Sequence, residues 1–368
     1  MAITLGADRI ELFRNGRELY PRMLGDIERA QRAIHWEMYI FADDPVGELF
    51  RDALARRAAA GVEVLLLVDA LGSLGTPSTF FDSVRRAGGT VRFFNPLALW
   101  RHGGGRYRAL PWDRRDHRKL LVIDHELAYV GGINLGNQFL HWEDLQLRVE
   151  GPGAARLAES FQSVWRADPR ILFRRMLEPY RSTSRLIDVL DGFPAPDYSP
   201  IKKAYVSIIK RARSTLWLSQ SYFFPSRKLR RELAKAVARG VDVRLMLPAH
   251  SDIYVVEMAS RRLYAKLLKQ GVRIYLYEPT MLHTKWACVD GRQSIVGSAN
   301  LDPVSLFHTL EIDLLIRSEE LAAQLEELFK HNIERCRALD FTSWSRRPWL
   351  DRLRERLWYR LRRFFYYS

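Results

Sequence analysis

The sequence predicts an α/β fold built twice in one chain, each copy a mixed sheet flanked by helices. Three observations predict it. Apolar runs suited to buried strands alternate with amphipathic stretches of helical period. The pattern of the first half returns in the second. At 368 residues the chain also exceeds what one hydrophobic core usually supports.

The elements follow in order. Residues 33–41 and 216–224 read as apolar strands, and 46–60 and 228–239 as amphipathic helices stopped by Gly61 and Gly240. The continuous apolar runs "VEVLLLVD" and "VDVRLML" come next, as buried strands. A second helix–strand unit is "FFDSVRRAGGTVRFFN" in one half and "LYAKLLKQGVRIYLYE" in the other. Each half then carries two strands around a tight turn, in "HRKLLVIDHELAYVGG" and "HTKWACVDGRQSIVGS"; the Asp-Gly of the latter is the clearer hairpin signal. The strands "DLQLRV" and "EIDLLI" close the repeat. "LDGFPAPDYSP" (190–200), rich in Pro, Gly and Asp, reads as the join. The expected domains are 1–185, 186–340 and a basic amphipathic tail, 341–368, without a counterpart in the first half.

Composition narrows the partner. The chain has 58 Lys+Arg against 43 Asp+Glu, a formal charge of +15, which suits a phosphate-bearing partner such as nucleic acid or an anionic membrane. Two cysteines, Cys288 and Cys336, rule out a disulfide framework or a cysteine metal cluster. The opening "MAITLGADRIELFRNG" lacks the pattern of a signal peptide, and no apolar run is long enough to span a bilayer, so membrane contact is expected at the surface. No carboxylate/His cluster has ligand spacing, so neither metal nor cofactor is expected.

The chemistry lies in the repeat. His117, Lys119, Asp124, Gly131 and Asn134 recur, each 166 residues on, as His283, Lys285, Asp290, Gly297 and Asn300. Residues two apart in a strand share a face, so each His projects with its Lys. A lysine in a buried strand is costly unless it meets an anion. These polar residues persist while the apolar positions between them drift from "LLVI" to "WACV". If the halves pack with these strands facing, two lysines and two Asn amides can hold one phosphate. Two imidazoles on its opposite sides can then act as nucleophile and proton donor. Asp124 and Asp290 lie an odd number of positions from their histidines, so their expected part is to orient an imidazole.

The pattern His-x-Lys-(x)4-Asp-(x)6-Gly-(x)2-Asn, present twice, resembles the phospholipase D superfamily. With "YIFADDPVGELFRDAL" and "GVEVLLLVDALGS" it resembles the bacterial cardiolipin synthases, in the short form without N-terminal transmembrane helices. The resemblance covers roughly residues 8 to 335. It implies one active site at the interface of the two domains and a phosphatidyl-histidine intermediate. By analogy His117 is the nucleophile and His283 the acid–base partner. Lys119, Lys285, Asn134 and Asn300 match the phosphate-binding positions. Ser298 is expected among them, and its counterpart is Gly132, which has no hydroxyl. Glu37 with Gln220, and Asp144 with Glu311, are candidate supporting pairs, Glu311 as a hydrogen-bond partner of a catalytic His. His125 and His141 have no duplicates and are expected outside the site.

The expected activity is phosphatidyl transfer between two phosphatidylglycerols, giving cardiolipin and glycerol. A phospholipase D hydrolase is the near alternative, and a nucleic-acid phosphodiesterase or a phosphate-binding scaffold the distant ones. The expected partners are phospholipids and an anionic membrane surface at the cytoplasmic face of a bacterial cell, with no specific nucleic acid. Two segments are candidates for that contact: the Gly/Arg/Trp-rich loop 100–116, and the tail as a surface helix. In the tail Trp349, Leu350, Leu353, Leu357, Leu361 and Phe364 recur at helical spacing, away from most of the arginines.

Overall fold

The structure, a computed structural model, describes residues 2–96, 112–167, 185–195 and 198–361. The first half forms a sheet of β1 (Ile3–Leu5), β2 (Asp8–Phe13), β3 (Ala33–Met38), β4 (Glu63–Asp69), β5 (Thr90–Phe94), β6 (Lys119–Ile123), β7 (Leu127–Gly131) and β8 (Gln146–Glu150). Its order is β1-β2-β8-β7-β6-β3-β4-β5. The second half supplies β9 (Ile187–Gly192), β10 (Thr215–Gln220), β11 (Asp242–Pro248), β12 (Arg273–Tyr277), β13 (Lys285–Val289), β14 (Gln293–Gly297), β15 (Glu311–Arg317) and β16 (Cys336–Leu339). Their order is β16-β12-β11-β10-β13-β14-β15-β9.

The sheets are mixed for the same reason. Strands β3-β4-β5, like β10-β11-β12, are parallel and need crossovers, whereas β6-β7-β8 and β13-β14-β15 are antiparallel and joined more tightly. The helices of the first half are α1 (Gly16–Arg29), α2 (Pro45–Ala59), α3 (Asp82–Arg86) and α4 (Pro152–Arg166). Those of the second are α5 (Pro200–Arg211), α6 (Arg227–Ala238), α7 (Tyr254–Lys269), α8 (Pro303–Phe307) and α9 (Glu319–Ile333). Local chemistry starts several of them: Asn15, Asp44, Ser199, Ser226 and Ser318 each accept a first-turn backbone N–H.

Two expectations shift. Strand β9 pairs with β15 as β2 pairs with β8, so the Pro-rich stretch 190–200 links β9 to α5 inside the second half and is not the join. The alignment of Glu37 with Gln220 is off by one. Lys119 lies opposite Met38 and Lys285 opposite Gln220, which makes Met38 the counterpart of Gln220 and Ser219 that of Glu37. Matching two apolar strands by composition permits such a slip, and the hydrogen-bond register removes it.

One hydrophobic core runs through both halves. It joins Leu120, Leu147 and Phe161 of the first to Trp286, Leu314 and Phe329 of the second, with α4 and α9 inside it. Each half adds its own outer core. The chain beyond residue 335 is not a separate tail over its described part. Strand β16 extends the second sheet, Trp344 of α10 (Phe341–Ser345) is buried, and α11 (Trp349–Leu361) lies against α7. The buried Glu355 accepts from Arg347, and the rings of Trp358 and Tyr359 meet Tyr254 and Phe224. Leu350, Leu353 and Leu357 face outward.

Candidate active site

The two motifs meet where the halves exchange backbone hydrogen bonds. His117 N–H donates to the Leu310 carbonyl (3.0 Å), and Leu310 N–H to that of Arg115 (2.8 Å). Across the pseudo-twofold, His283 N–H donates to the Glu143 carbonyl (2.7 Å), and Glu143 N–H to that of Met281 (3.0 Å). Each histidine is therefore held by the half it does not belong to.

The side chains repeat the exchange. His117 Nδ1 lies 3.0 Å from a Glu311 carboxylate oxygen, and His283 Nδ1 lies 2.6 Å from Asp144 Oδ2. A carboxylate at Nδ1 accepts a hydrogen bond from that nitrogen and so keeps the ring's proton there, which leaves Nε2 of each neutral ring with a free lone pair. Lys285 Nζ also comes within 3.0 Å of His283 Nδ1, but with that nitrogen donating to Asp144 the contact is proximity, and the ammonium donates to the His283 carbonyl. Lys119 Nζ donates likewise to the His117 carbonyl (2.7 Å) and sits 4.9 Å from the Tyr39 ring.

Burial and like charge set the protonation. Burial holds His117 well below the usual imidazole range, and Lys119, Lys285 and His283 push it further down. His283 is lowered by burial and Lys285, while Asp144 and Asp252 oppose the shift. Lys119 falls to about 7, through burial and repulsion by Lys285 against the pull of Glu311. Lys285 is lowered too, chiefly by burial. Burial lifts Glu311 to about 7, against Lys119 and the hydroxyls of Ser298 and Thr309. Two buried cations side by side are expensive, and a phosphate between them removes the expense.

The Asn side chains are pre-set. Asn134 Oδ1 accepts from Ile40 N–H (3.2 Å) and Asn300 Oδ1 from the Ser221 hydroxyl (2.7 Å), which leaves each amide NH2 to donate. Both motif glycines are imposed by crowding. A Cβ on Gly131 would stand 2.3 Å from the Leu145 carbonyl, and one on Gly297 2.4 Å from that of Ile312.

The family description "Cardiolipin synthase, PLD-like domain" matches residues 23–165 and 205–333. This chain belongs to that family. A cardiolipin synthase of Staphylococcus epidermidis is 32% identical over 362 residues, which is 95% of this chain and 73% of that protein. One from Clostridium perfringens is 31% identical over 362 residues, 94% of this chain and 75% of that protein. Among solved structures, phosphatidylserine synthase of Haemophilus influenzae superposes with a TM-score of 0.76 at 15% identity, over 99% of this chain and 95% of that one. At that identity the superposition speaks for the fold.

Not every expected residue joins the family motif at the site. Asp124 and Asp290 stand at the far ends of β6 and β13, in turns of positive φ (53° each). Asp124 accepts the N–H groups of Gln31, Arg32 and Ala33, and Asp290 those of Arg213, Ser214 and Thr215. Burial would raise these carboxyls, but the backbone donors outweigh it and hold them low. They tie each hairpin turn to the start of the neighbouring strand, and the carboxylates at the imidazoles are Glu311 and Asp144. Ser298 likewise gives its hydroxyl to Glu311 and accepts Ile312 N–H (3.0 Å), so it anchors that carboxylate instead of offering itself to a phosphate. Glu37 is buried behind the strand, 3.0 Å from Arg118 Nε, on the side opposite Lys119.

The sequence reading missed the aromatic walls. Tyr39 meets the His117 ring at 4.7 Å, and Trp142 and Tyr222 flank His283 at 5.3 and 6.2 Å. None has an aromatic counterpart in register, so the repeat carried no signal for them. Arg115 and Asp69 were also missed. Asp69 accepts from Arg115 Nε (3.0 Å) and from Asp116 N–H (2.8 Å), which fixes the backbone entering His117. Among the described residues no group of three His, Cys, Asp or Glu is placed to hold a metal ion. No described helix is long and apolar enough to cross a membrane. Of the loop 100–116, residues 100–111 lie outside the described residues.

Proposed function

We propose that the chain is a cardiolipin synthase, moving a phosphatidyl group from one phosphatidylglycerol to a hydroxyl of a second through a phosphatidyl-histidine. The observation that supports it most is the crosswise pairing, in which each His-x-Lys pair takes its carboxylate from the opposite half. Such a site is one site, not two.

His117 is the nucleophile in this reading. Its side chain is 13% exposed against 5% for His283, and burial, with Lys119 and Lys285 beside it, keeps it neutral. His117 Nε2 attacks phosphorus, and the P–O bond to glycerol breaks as His283, which takes up a proton from water on Nε2 when the anionic phosphodiester binds beside it, delivers that proton to the leaving oxygen. The acceptor hydroxyl then gives its proton back to His283 and attacks phosphorus, and the P–N bond breaks. The lysines and Asn amides neutralise the equatorial oxygens at both steps, so the reaction proceeds without metal or cofactor. The family's relatives act as cardiolipin synthases by name, which supports a phospholipid substrate. That substrate supports membrane association, and the same reading places the chain peripherally at the cytoplasmic face of a bacterial membrane.

The test uses phosphatidylglycerol labelled in its phosphatidyl part. His117→Ala and His283→Ala are each expected to lower cardiolipin formation by about 10^4-fold. Acid-labile label should accumulate on the His283→Ala protein and not on the His117→Ala one. The reverse labelling would exchange the two roles, and about half activity in each variant would mean two independent sites. Phosphatidic acid as the main product would make the protein a hydrolase, and nicking of plasmid without lipid turnover would make it a nuclease.

A further inference from the structure

The large apolar side chains left exposed are not spread evenly. Both sheets present the C-terminal ends of their parallel strands to the site: Met38 of β3 lies beside Lys119, Asp69 of β4 binds Arg115, and Gln220 of β10 lies beside Lys285. The segments leaving those ends carry Leu49 near the start of α2, Leu74 after β4, and Ile253 and Tyr254 after β11, all exposed. Trp112, five residues before His117, is exposed as well.

Two of these stand alike relative to their strands: Leu74 lies five residues past the end of β4 and Ile253 five past the end of β11, and Ser73 beside Leu74 donates its hydroxyl to the carbonyl of Tyr39, whose ring meets His117. Each is 45% exposed, though a polar residue would cost nothing there. The loop of Ile253 is tied to the site: Asp252 accepts from the Tyr222 hydroxyl (2.6 Å), and the Tyr222 ring faces His283. The end of α11 reaches the same rim, where Trp358 meets Tyr254.

Basic charge begins beside this lip, where α6 leaves the end of β10, and runs along α5–α7. Helices α5 and α6 wall a groove of about 250 Å³ lined by Lys202, Lys203, Lys210 and Lys228. A second groove of about 460 Å³ adjoins it on α6 and α7, lined by Arg227, Arg230, Arg231 and Lys266. Neither contains an acidic side chain.

We infer that this rim is the membrane-docking face: Leu74 and Ile253 insert on either side of the site's mouth, and the basic grooves of α5–α7 bind anionic headgroups. The inference rests on the lipid substrate proposed above. Apolar side chains at a rim, backed by Lys and Arg, match an anionic bilayer, whose interface takes the former and whose headgroups take the latter. Docked this way, a lipid reaches His117 by moving along the bilayer normal. The outward Leu350 and Leu353, at the start of α11, lie in the half of that helix away from the Trp358 contact and are not part of this surface.

The experiment is sedimentation of the full chain with vesicles of phosphatidylglycerol and phosphatidylcholine, alongside turnover of a short-chain phosphatidylglycerol below its micelle concentration. Leu74→Ser/Ile253→Ser is expected to weaken vesicle binding by about tenfold or more, and vesicle turnover with it, while leaving turnover of the monomeric lipid intact. Leu350→Ser/Leu353→Ser on α11 should bind vesicles like the parent. Binding lost only by the α11 variant would overturn the proposal, as would unchanged binding of the rim variant or parent binding indifferent to lipid charge. Should the parent turn over no lipid at all, the enzymatic reading fails, and the sedimentation result still decides the docking face.

Discussion

The two copies of the motif solve one problem with different parts. In the second, a glutamate, Glu311, reaches across to His117 and is anchored by the hydroxyls of Ser298 and Thr309. In the first, the shorter Asp144 reaches His283, and Gly132 stands where Ser298 does. A Cβ on Gly132 would come within 2.3 Å of Asp144 Oδ1, so the space the serine fills in one copy is filled by the carboxylate itself in the other. Glycine with aspartate, or serine with glutamate: the pair changes together because both occupy one volume. A duplicated site therefore keeps its function through paired substitutions that neither residue type alone reveals.

That comparison can be broken by crossing the parts. Gly132→Ser should displace Asp144 from His283 and lower kcat by about 10^2 to 10^3-fold. Ser298→Gly removes only an anchor and should cost about tenfold. Adding Asp144→Glu to Gly132→Ser builds the second arrangement into the first and should recover most of the loss. No recovery in the double variant, with folding intact by circular dichroism, would refute the equivalence.

The two halves also share an ionisation problem, and pH sharpens it. Lys119 and Glu311 both titrate at about 7 in the free protein. Below that range Glu311 takes a proton and holds His117 less well; above it Lys119 loses the charge proposed above to bind phosphate. The profile of kcat/KM should be a bell centred near neutrality, both limbs belonging to the coupled pair. Bound phosphate favours the lysine's charged form, so the alkaline limb of kcat should lie above that of kcat/KM. Lys119→Arg, which keeps its charge, should flatten the alkaline limb. An alkaline limb identical in parent and variant would assign it to another group.

The smallest effect on chemistry is expected where the copies are most alike. Asp124→Asn and Asp290→Asn each weaken hydrogen bonds from three consecutive backbone N–H groups. Each should destabilise the fold by about 1–2 kcal/mol while kcat changes less than about threefold. Thermal melts beside steady-state rates check this, and a rate loss far beyond the stability loss would return these residues to the chemistry.

The duplication, the alternation of strands and helices, the His-x-Lys pairs and the two Asn positions were legible because they are facts of local spacing. Strand period puts His and Lys on one face wherever the strand goes. Other features depended on what folding brings together. The sequence offered Glu311 as a partner of one histidine beside the motif aspartates, but Glu311 and His117 are 194 residues apart, and Asp144 and His283 139 apart, so which carboxylate meets which ring waited for the fold. The one-residue slip at Glu37 arose because both strands are apolar throughout, and only interstrand hydrogen bonds distinguish one register from the next. In α11 the sequence showed a helix with an apolar and a basic side. Which residues it would bury was decided by the shape of α7 and by the ion pair of Glu355 with Arg347. Spacing along a chain determines which side chains point together; which of them meet, across a hundred residues or more, is settled by packing.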